Sequence, residues 1–222
     1  HPISSATVTP LLLSAYTATT CLRRGLDAMR EALRNGRSGL VPCAFETVQL
    51  DTWMGEVAAV DAEKLPESLA TYDCRNNRLT QMGLETDGFA ERVREAIARY
   101  GKTRVGVFLG TSTAGILQTE LAYRRRDPET SALPDDFHYR TTHNSFSLAE
   151  FTRDYFGLEG MAMAISTACS SSAKVFAAAA RQLELGTIDA AIAAGVDTPC
   201  LTTLYGPASL HPPPTQPSRP HA

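Results

Sequence analysis

Short apolar runs alternate with amphipathic stretches along the chain. Leu11 to Ala18 is an apolar run that predicts a strand, after which Leu22, Leu26, Met29 and Leu33 recur on one helical face until Asn35-Gly36 stops the pattern. Ser38 to Asp73 mixes Pro42, Pro66 and Trp53 with alternations such as Phe45-Glu46-Thr47-Val48, and reads as loops with one or two edge strands. A long helix is predicted from about Leu79 to Tyr100, with Phe89, Val93, Ile97 and Tyr100 on one stripe and Gly101 as its stop. Arg104 to Gly110 then reads as a buried strand that opens into the small-residue turn Thr111-Ser112-Thr113-Ala114-Gly115. Tyr123 to Asn144 is charged, lacks a hydrophobic period, and is expected to be a surface excursion.

In the second half the alternation sharpens. Phe146 to Phe156 predicts a helix ended by Gly157, Met161 to Ser166 a strand, Ser170 to Leu185 a helix of small residues, and Ile188 to Val196 an almost wholly apolar strand. Apolar strands separated by helices argue for an α/β layer built on a mainly parallel sheet covered on both faces. From Pro207 to Ala222 the pattern ends, and these 16 residues hold six of the chain's 13 Pro. The expected organisation is an irregular extension over residues 1–10, one domain over 11–206, and a Pro-rich tail over 207–222 that does not fold by itself. Because no covering helix is predicted after the last strand, the domain reads as incomplete or altered at that end.

Composition removes several classes of function. The 222 residues are 43% hydrophobic and 20% charged, with a formal charge of −3 and no basic stripe, which disfavours a nucleic-acid partner. The longest uncharged apolar stretch, Met161 to Ala173, falls short of the roughly 18 residues a membrane span needs. Five cysteines, Cys21, Cys43, Cys74, Cys169 and Cys200, are odd in number and contain no C-x-x-C pair, so neither a disulfide framework nor a metal site is expected. A reducing, cytoplasmic compartment is the simplest reading.

Chemistry concentrates at Ile165-Ser166-Thr167-Ala168-Cys169-Ser170-Ser171-Ser172, where a buried strand turns directly into a helix with Cys169 at the junction. The unpaired amides and dipole of a helix N-terminus stabilise an anion, so a thiolate is favoured there. Small neighbours let a substrate carbonyl approach backbone N–H groups, which are the material of an oxyanion hole. The competing reading is a cysteine packed as a small hydrophobe, with the three serines as capping residues. That reading is preferred for Cys21, Cys43, Cys74 and Cys200.

Thr167-Ala168-Cys169-Ser170-Ser171-Ser172 after an apolar strand, followed by Gly186-Thr187-Ile188-Asp189-Ala190-Ala191-Ile192-Ala193-Ala194-Gly195-Val196-Asp197, resembles the active-site region of the β-ketoacyl-acyl carrier protein synthases. Asn35 to Gly39, Arg78 to Ala98 and Val107 to Ser112 add to the resemblance, which covers about residues 11–206. It implies the N-terminal half of a thiolase-like fold, a mixed, mainly parallel five-stranded sheet covered by helices. It further implies Cys169 as the acyl-accepting nucleophile, its own N–H as an oxyanion donor, and Gly110, Thr111, Ser112 and Thr113 beside the acyl pocket. No cofactor is implied. The implied partners are an acyl carrier protein and a second ketosynthase-like subunit, in a homodimer or heterodimer formed through Met161 to Ser166.

One departure accompanies the match. The family's two catalytic histidines lie on C-terminal motifs that this sequence lacks, while His138 and His143 sit in the polar excursion, where solvated surface histidines are expected. Acylation of Cys169 is therefore expected without condensation. Two alternatives stay open: a non-catalytic partner resembling a chain-length factor, and a fragment with no activity of its own. Arg124-Arg125-Arg126 reads either as a docking patch for an acidic carrier protein or as an ordinary solvated charge run.

Overall fold

The structure, a computed structural model, describes residues 9–210. Its strands are β1 (Leu40–Phe45), β2 (Val48–Gly55), β3 (Val105–Gly110), β4 (Ala162–Ile165) and β5 (Ala190–Gly195). Its helices are α1 (Leu26–Arg34), α2 (Arg75–Leu84), α3 (Phe89–Tyr100), α4 (Ile116–Arg124), α5 (Tyr139–Thr142), α6 (Ser147–Tyr155), α7 (Ser171–Glu184) and α8 (Leu201–Leu210), with a 3-10 helix at Glu67–Tyr72.

Strand β3 is buried at every residue because it is the middle of a parallel sheet of order β4-β3-β5 with helices on both faces. The two-residue period sorts its side chains. Val105, Val107 and Leu109 join Val93 of α3, Leu148 of α6 and Ile192 of β5 on one face. Phe108 turns to the other and packs on Val175, Ala178 and Ala179 of α7 and on Ile188. Helix α7 links β4 to β5 across β3, so the C-terminal ends of β3 and β5 and the N-terminus of α7 meet at one edge of the sheet.

The predicted alternation of strands and helices after residue 100 is observed, and the mixed α/β, partial thiolase-like architecture with it. Among the described residues the parallel sheet has three strands where the resemblance implies five. Leu11 to Ala18 forms no strand: Leu12 and Leu13 are 90% and 65% exposed, and the nearest pairing is a single bridge between Thr19 and Arg24. An apolar run becomes a strand only when a neighbouring edge takes its hydrogen bonds along its length, and among the described residues no strand edge pairs with these.

Three further predictions are corrected. The long helix from Leu79 to Tyr100 is two helices, because Asp87 and Gly88 adopt left-handed backbone (φ 58° and 71°) between α2 and α3. The excursion from Tyr123 begins later than expected, since helix α4 already occupies Ile116–Arg124. The chain also does not end as a domain directly after β5: α8 follows and runs through the first residues of the segment read as a tail. Glu120 of α4 caps α8, its carboxylate accepting from the N–H groups of Leu201 at 2.9 Å and Thr202 at 2.8 Å. Leu201 is buried with Cys200, Leu117 of α4 and the β1–β2 hairpin. Residues 1–8 and 211–222, the bulk of the expected extension and tail, lie outside the described residues.

Candidate active site

Between the end of β4 and the first turn of α7 the backbone reverses at Ala168, whose φ of 52° lies in the left-handed region. Such a conformation is costly for a residue with a Cβ, so it persists only where the surroundings hold it. Here they do. The Ala168 carbonyl accepts from the Ser171 hydroxyl at 2.7 Å, the Ser171 N–H at 3.1 Å and the Ser112 hydroxyl at 3.0 Å. Ser171 in turn accepts from the Thr167 N–H at 2.9 Å, and the Ser170 hydroxyl donates to the Thr167 carbonyl at 2.9 Å. Cys169 stands on the outside of this turn.

Cys169 is the exposed cysteine among the described residues; Cys43, Cys74 and Cys200 are buried and Cys21 is half-buried. The Cys169 N–H has no hydrogen-bond acceptor among the described residues. Burial pushes the Cys74 thiol up to about 11, so that sulfur stays protonated. A reachable sulfur, a free amide on the same residue and the N-terminus of a 14-residue helix together suit nucleophilic attack on a carbonyl.

The turn predicted to border a pocket supports this arrangement from behind. Gly110 ends β3, and Thr111 and Thr113 are buried while Ser112 is half-buried. One carboxylate oxygen of Asp197, two residues past β5, accepts from the Ser112 N–H at 2.7 Å, the Thr113 hydroxyl at 2.9 Å and the Thr111 hydroxyl at 3.1 Å. Asn76 and Thr198 extend the network to α2. Ser112 is thus tied through its backbone to Asp197, just past β5, and through its side chain to the Cys169 turn. Sequence reasoning did not single out Asp197 or Ser171; an acidic residue immediately after an apolar strand was the available signal for the first.

A largely apolar groove of about 590 Å³ runs beside β5, with Leu13, Tyr16, Phe89, Phe176, Ile192 and Asp197 among its lining. Leu109 and Ser172 also line it, whereas Gly110, Thr111, Ser112 and Thr113 do not.

Of the charged candidates, Arg125 makes a two-pronged ion pair with Asp136 (2.9 and 3.0 Å) and Arg124 donates to Thr47, so the arginine run is partly engaged within the chain. His138 is exposed as expected. His143 is not: it is buried, its ring centroid 4.4 Å from that of Phe137 and its Nδ1 2.6 Å from the Thr142 hydroxyl. Helix α5 and Phe137 fold the excursion back over that imidazole, and burial holds its pKa below the usual value. Among the described residues no helix is long and apolar enough to cross a membrane.

Comparisons with known proteins concern the fold and the family. Residues 13–208 match the family model described as the beta-ketoacyl synthase N-terminal domain. The chain is similar to the structure of the ketosynthase ApeO in complex with its chain length factor ApeC from Xenorhabdus doucetiae. The likeness has 28% identity and a TM-score of 0.71, covering 88% of this chain and 50% of that one. A beta-ketoacyl synthase from Burkholderia phymatum shares the fold at 17% identity and a TM-score of 0.70, covering 90% of this chain and 50% of its own. A ketosynthase from module 6 of the bacillaene synthase of Bacillus subtilis does so at 18% and 0.60, covering 86% and 32%. The chain therefore spans half or less of these structures, and no curated relative matches it. With that family model matching residues 13–208, the chain belongs to the β-ketoacyl synthase family.

Proposed function

We propose that Cys169 is the acyl-accepting nucleophile of a β-ketoacyl-[acyl carrier protein] synthase and that these residues carry the acyl-transfer half of its reaction. The observation behind this reading is the exposure of Cys169, whose N–H finds no acceptor among the described residues, on a left-handed turn at the N-terminus of α7. In the proposed step the Cys169 thiolate adds to the carbonyl carbon of a carrier-protein thioester. The carbonyl electron pair moves to oxygen, facing the Cys169 N–H, and returns as the carrier's C–S bond breaks. The departing carrier thiolate takes up the proton that the cysteine gave up.

Gly110, Thr111, Ser112 and Thr113 form the wall behind the nucleophile in this proposal. Decarboxylative condensation with malonyl-carrier protein belongs to the full-length enzyme in this proposal, and neither His138 nor His143 is poised for it: His138 is exposed on its loop, and the Nδ1 of His143 is committed to its own segment. The proposed partners are an acyl carrier protein and a second ketosynthase-like subunit, and the proposed setting is the cytoplasm, where thiols stay reduced. The outer edge of β4 is unpaired among the described residues, which supports subunit pairing through Met161 to Ser166.

A second reading, a non-catalytic subunit comparable to a chain length factor, draws on the similarity to the ApeO–ApeC structure. An exposed cysteine at the turn favours the first. Intact-mass measurement after incubation with an acyl-carrier protein separates them. Acylation confined to Cys169 and lost in Cys169→Ala supports the synthase reading, and an unmodified chain supports the scaffold. No condensation product is expected with malonyl-carrier protein.

A further inference from the structure

The peptide unit that joins Ala168 to Cys169 is planar and trans, so its carbonyl and its N–H point in opposite directions. Fixing the carbonyl therefore aims the amide. Three donors fix it: the Ser171 hydroxyl, the Ser171 N–H and the Ser112 hydroxyl. Ser171 lies within the turn itself, four residues from the Thr167 whose N–H it accepts. Ser112 comes from the far end of β3, 56 residues away, and is anchored there by Asp197, whose carboxylate accepts the Ser112 N–H at 2.7 Å.

We infer that Ser112 is a positioning residue for acyl transfer: by holding the Ala168 carbonyl against the end of the sheet it turns the Cys169 N–H outward, toward the oxygen of an incoming thioester. The inference rests on the proposed acylation of Cys169 and deepens it, assigning to Ser112 a part that does not touch substrate. Donation into the Ala168 carbonyl also polarises the same peptide unit and strengthens its N–H as a donor. Asp197 acts one step further back, because it places Ser112.

Two reagents distinguish aim of the amide from placement of the sulfur. An acyl thioester of N-acetylcysteamine forms an oxyanion when Cys169 attacks it. Iodoacetamide reacts at a saturated carbon and forms none, so it reports only on the sulfur. Outright loss of an oxyanion donor costs about 10²–10³ in rate, and loosening its orientation is expected to cost roughly tenfold.

The experiment measures both rates at Cys169 by mass spectrometry in the full chain and in Ser112→Ala and Ser112→Thr, with melting by circular dichroism to follow folding. Ser112→Ala is expected to lower the saturated acylation rate roughly tenfold while alkylation stays within about twofold, and Ser112→Thr, which keeps the hydroxyl, to recover most of the loss. Equal acylation in the parent and Ser112→Ala overturns the inference and leaves the acyl-transfer reading standing. A parallel fall in both rates also overturns it, by assigning Ser112 to the sulfur or to the fold. A parent chain that is alkylated at Cys169 but never acylated overturns the acyl-transfer reading and this inference with it.

Discussion

A Cβ placed on Gly110 would lie 2.6 Å from the backbone carbonyl carbon of Ser171, so the end of β3 and the first turn of α7 touch through a gap that only hydrogen fills. The contact is backbone, which cannot rotate aside. Gly110→Ala must push α7 away from the sheet or twist the Cys169 turn, at a cost of about 1–3 kcal/mol. Gly83, within α2, is the control: nothing lies within 4 Å of where an alanine methyl would stand and its φ is ordinary, so Gly83→Ala is expected to stabilise by about 0.5–1 kcal/mol. Urea midpoints of the two variants should move in opposite directions.

Ala168 tests the turn from the other side. Its left-handed φ of 52° suits glycine better than alanine, and its side chain is exposed, so substitution there reads mainly the backbone. Ala168→Gly is expected to be neutral or to stabilise by up to about 1 kcal/mol, and Ala168→Val to destabilise by about 1–2 kcal/mol. Chemical denaturation checks both. A valine that costs nothing would mean the turn does not need this conformation.

Which parts of the molecule were readable beforehand follows from how local their cause is. Strands β3, β4 and β5 and helices α3, α6 and α7 announce themselves because each carries its own apolar period, bounded by Gly101, Gly157 or Gly186. The place of Cys169 between β4 and α7 was readable because a strand-to-helix junction is a local pattern. Helix α4 was not: among its residues Leu117 and Ala122 are buried while Ile116 is exposed, so its sequence shows no clean stripe. Ser112 was legible only as a neighbour of the pocket by resemblance, and the ties that join it to Asp197 and to the Cys169 turn were not legible, for a different reason. They are hydrogen bonds that span 85 and 56 residues, and only the parallel order β4-β3-β5 brings those ends together. The same limit applies to Leu11 to Ala18, whose apolar run is strand-like but whose pairing depends on another edge.

Arg75 joins three segments at the start of α2. One of its guanidinium nitrogens lies 2.8 Å from Glu56 and 2.8 Å from Asp61, and its central carbon sits 5.0 Å from the centre of the Phe45 ring in β1. The guanidinium is mostly buried while both carboxylates keep access to water, so truncation removes the cation without stranding the acids. Arg75→Ala is expected to destabilise by about 2–3 kcal/mol, through lost charge-assisted hydrogen bonds and ring contact. Arg75→Lys should recover less than half, because an ammonium cannot bridge two carboxylates and cover a ring in one geometry. Denaturant midpoints measured at constant salt separate the three proteins.

His143 sets a pH dependence distinct from that of the surface acids. Burial is the main reason its pKa lies below 6.5; Arg125 and His138 also disfavour its charged form, while Asp136 and the hydrogen bond to the His138 carbonyl act the other way. The unfolded chain takes up this proton near 6.5, whereas the folded chain takes it up only at lower pH. Unfolding is therefore coupled to proton binding, and stability falls as pH drops below about 6.5. Asp127, Asp136 and Asp189, held low mainly by Thr130, Arg125 and Arg104 respectively, lose their contributions only as pH falls below their ordinary value of 3.8. The two windows do not overlap above about pH 5. His143→Gln is expected to flatten the decline between pH 6.5 and 5 and to leave the steeper acid loss in place, as read from urea midpoints at stepped pH. An unchanged slope in that interval would assign the decline to some group other than the buried imidazole.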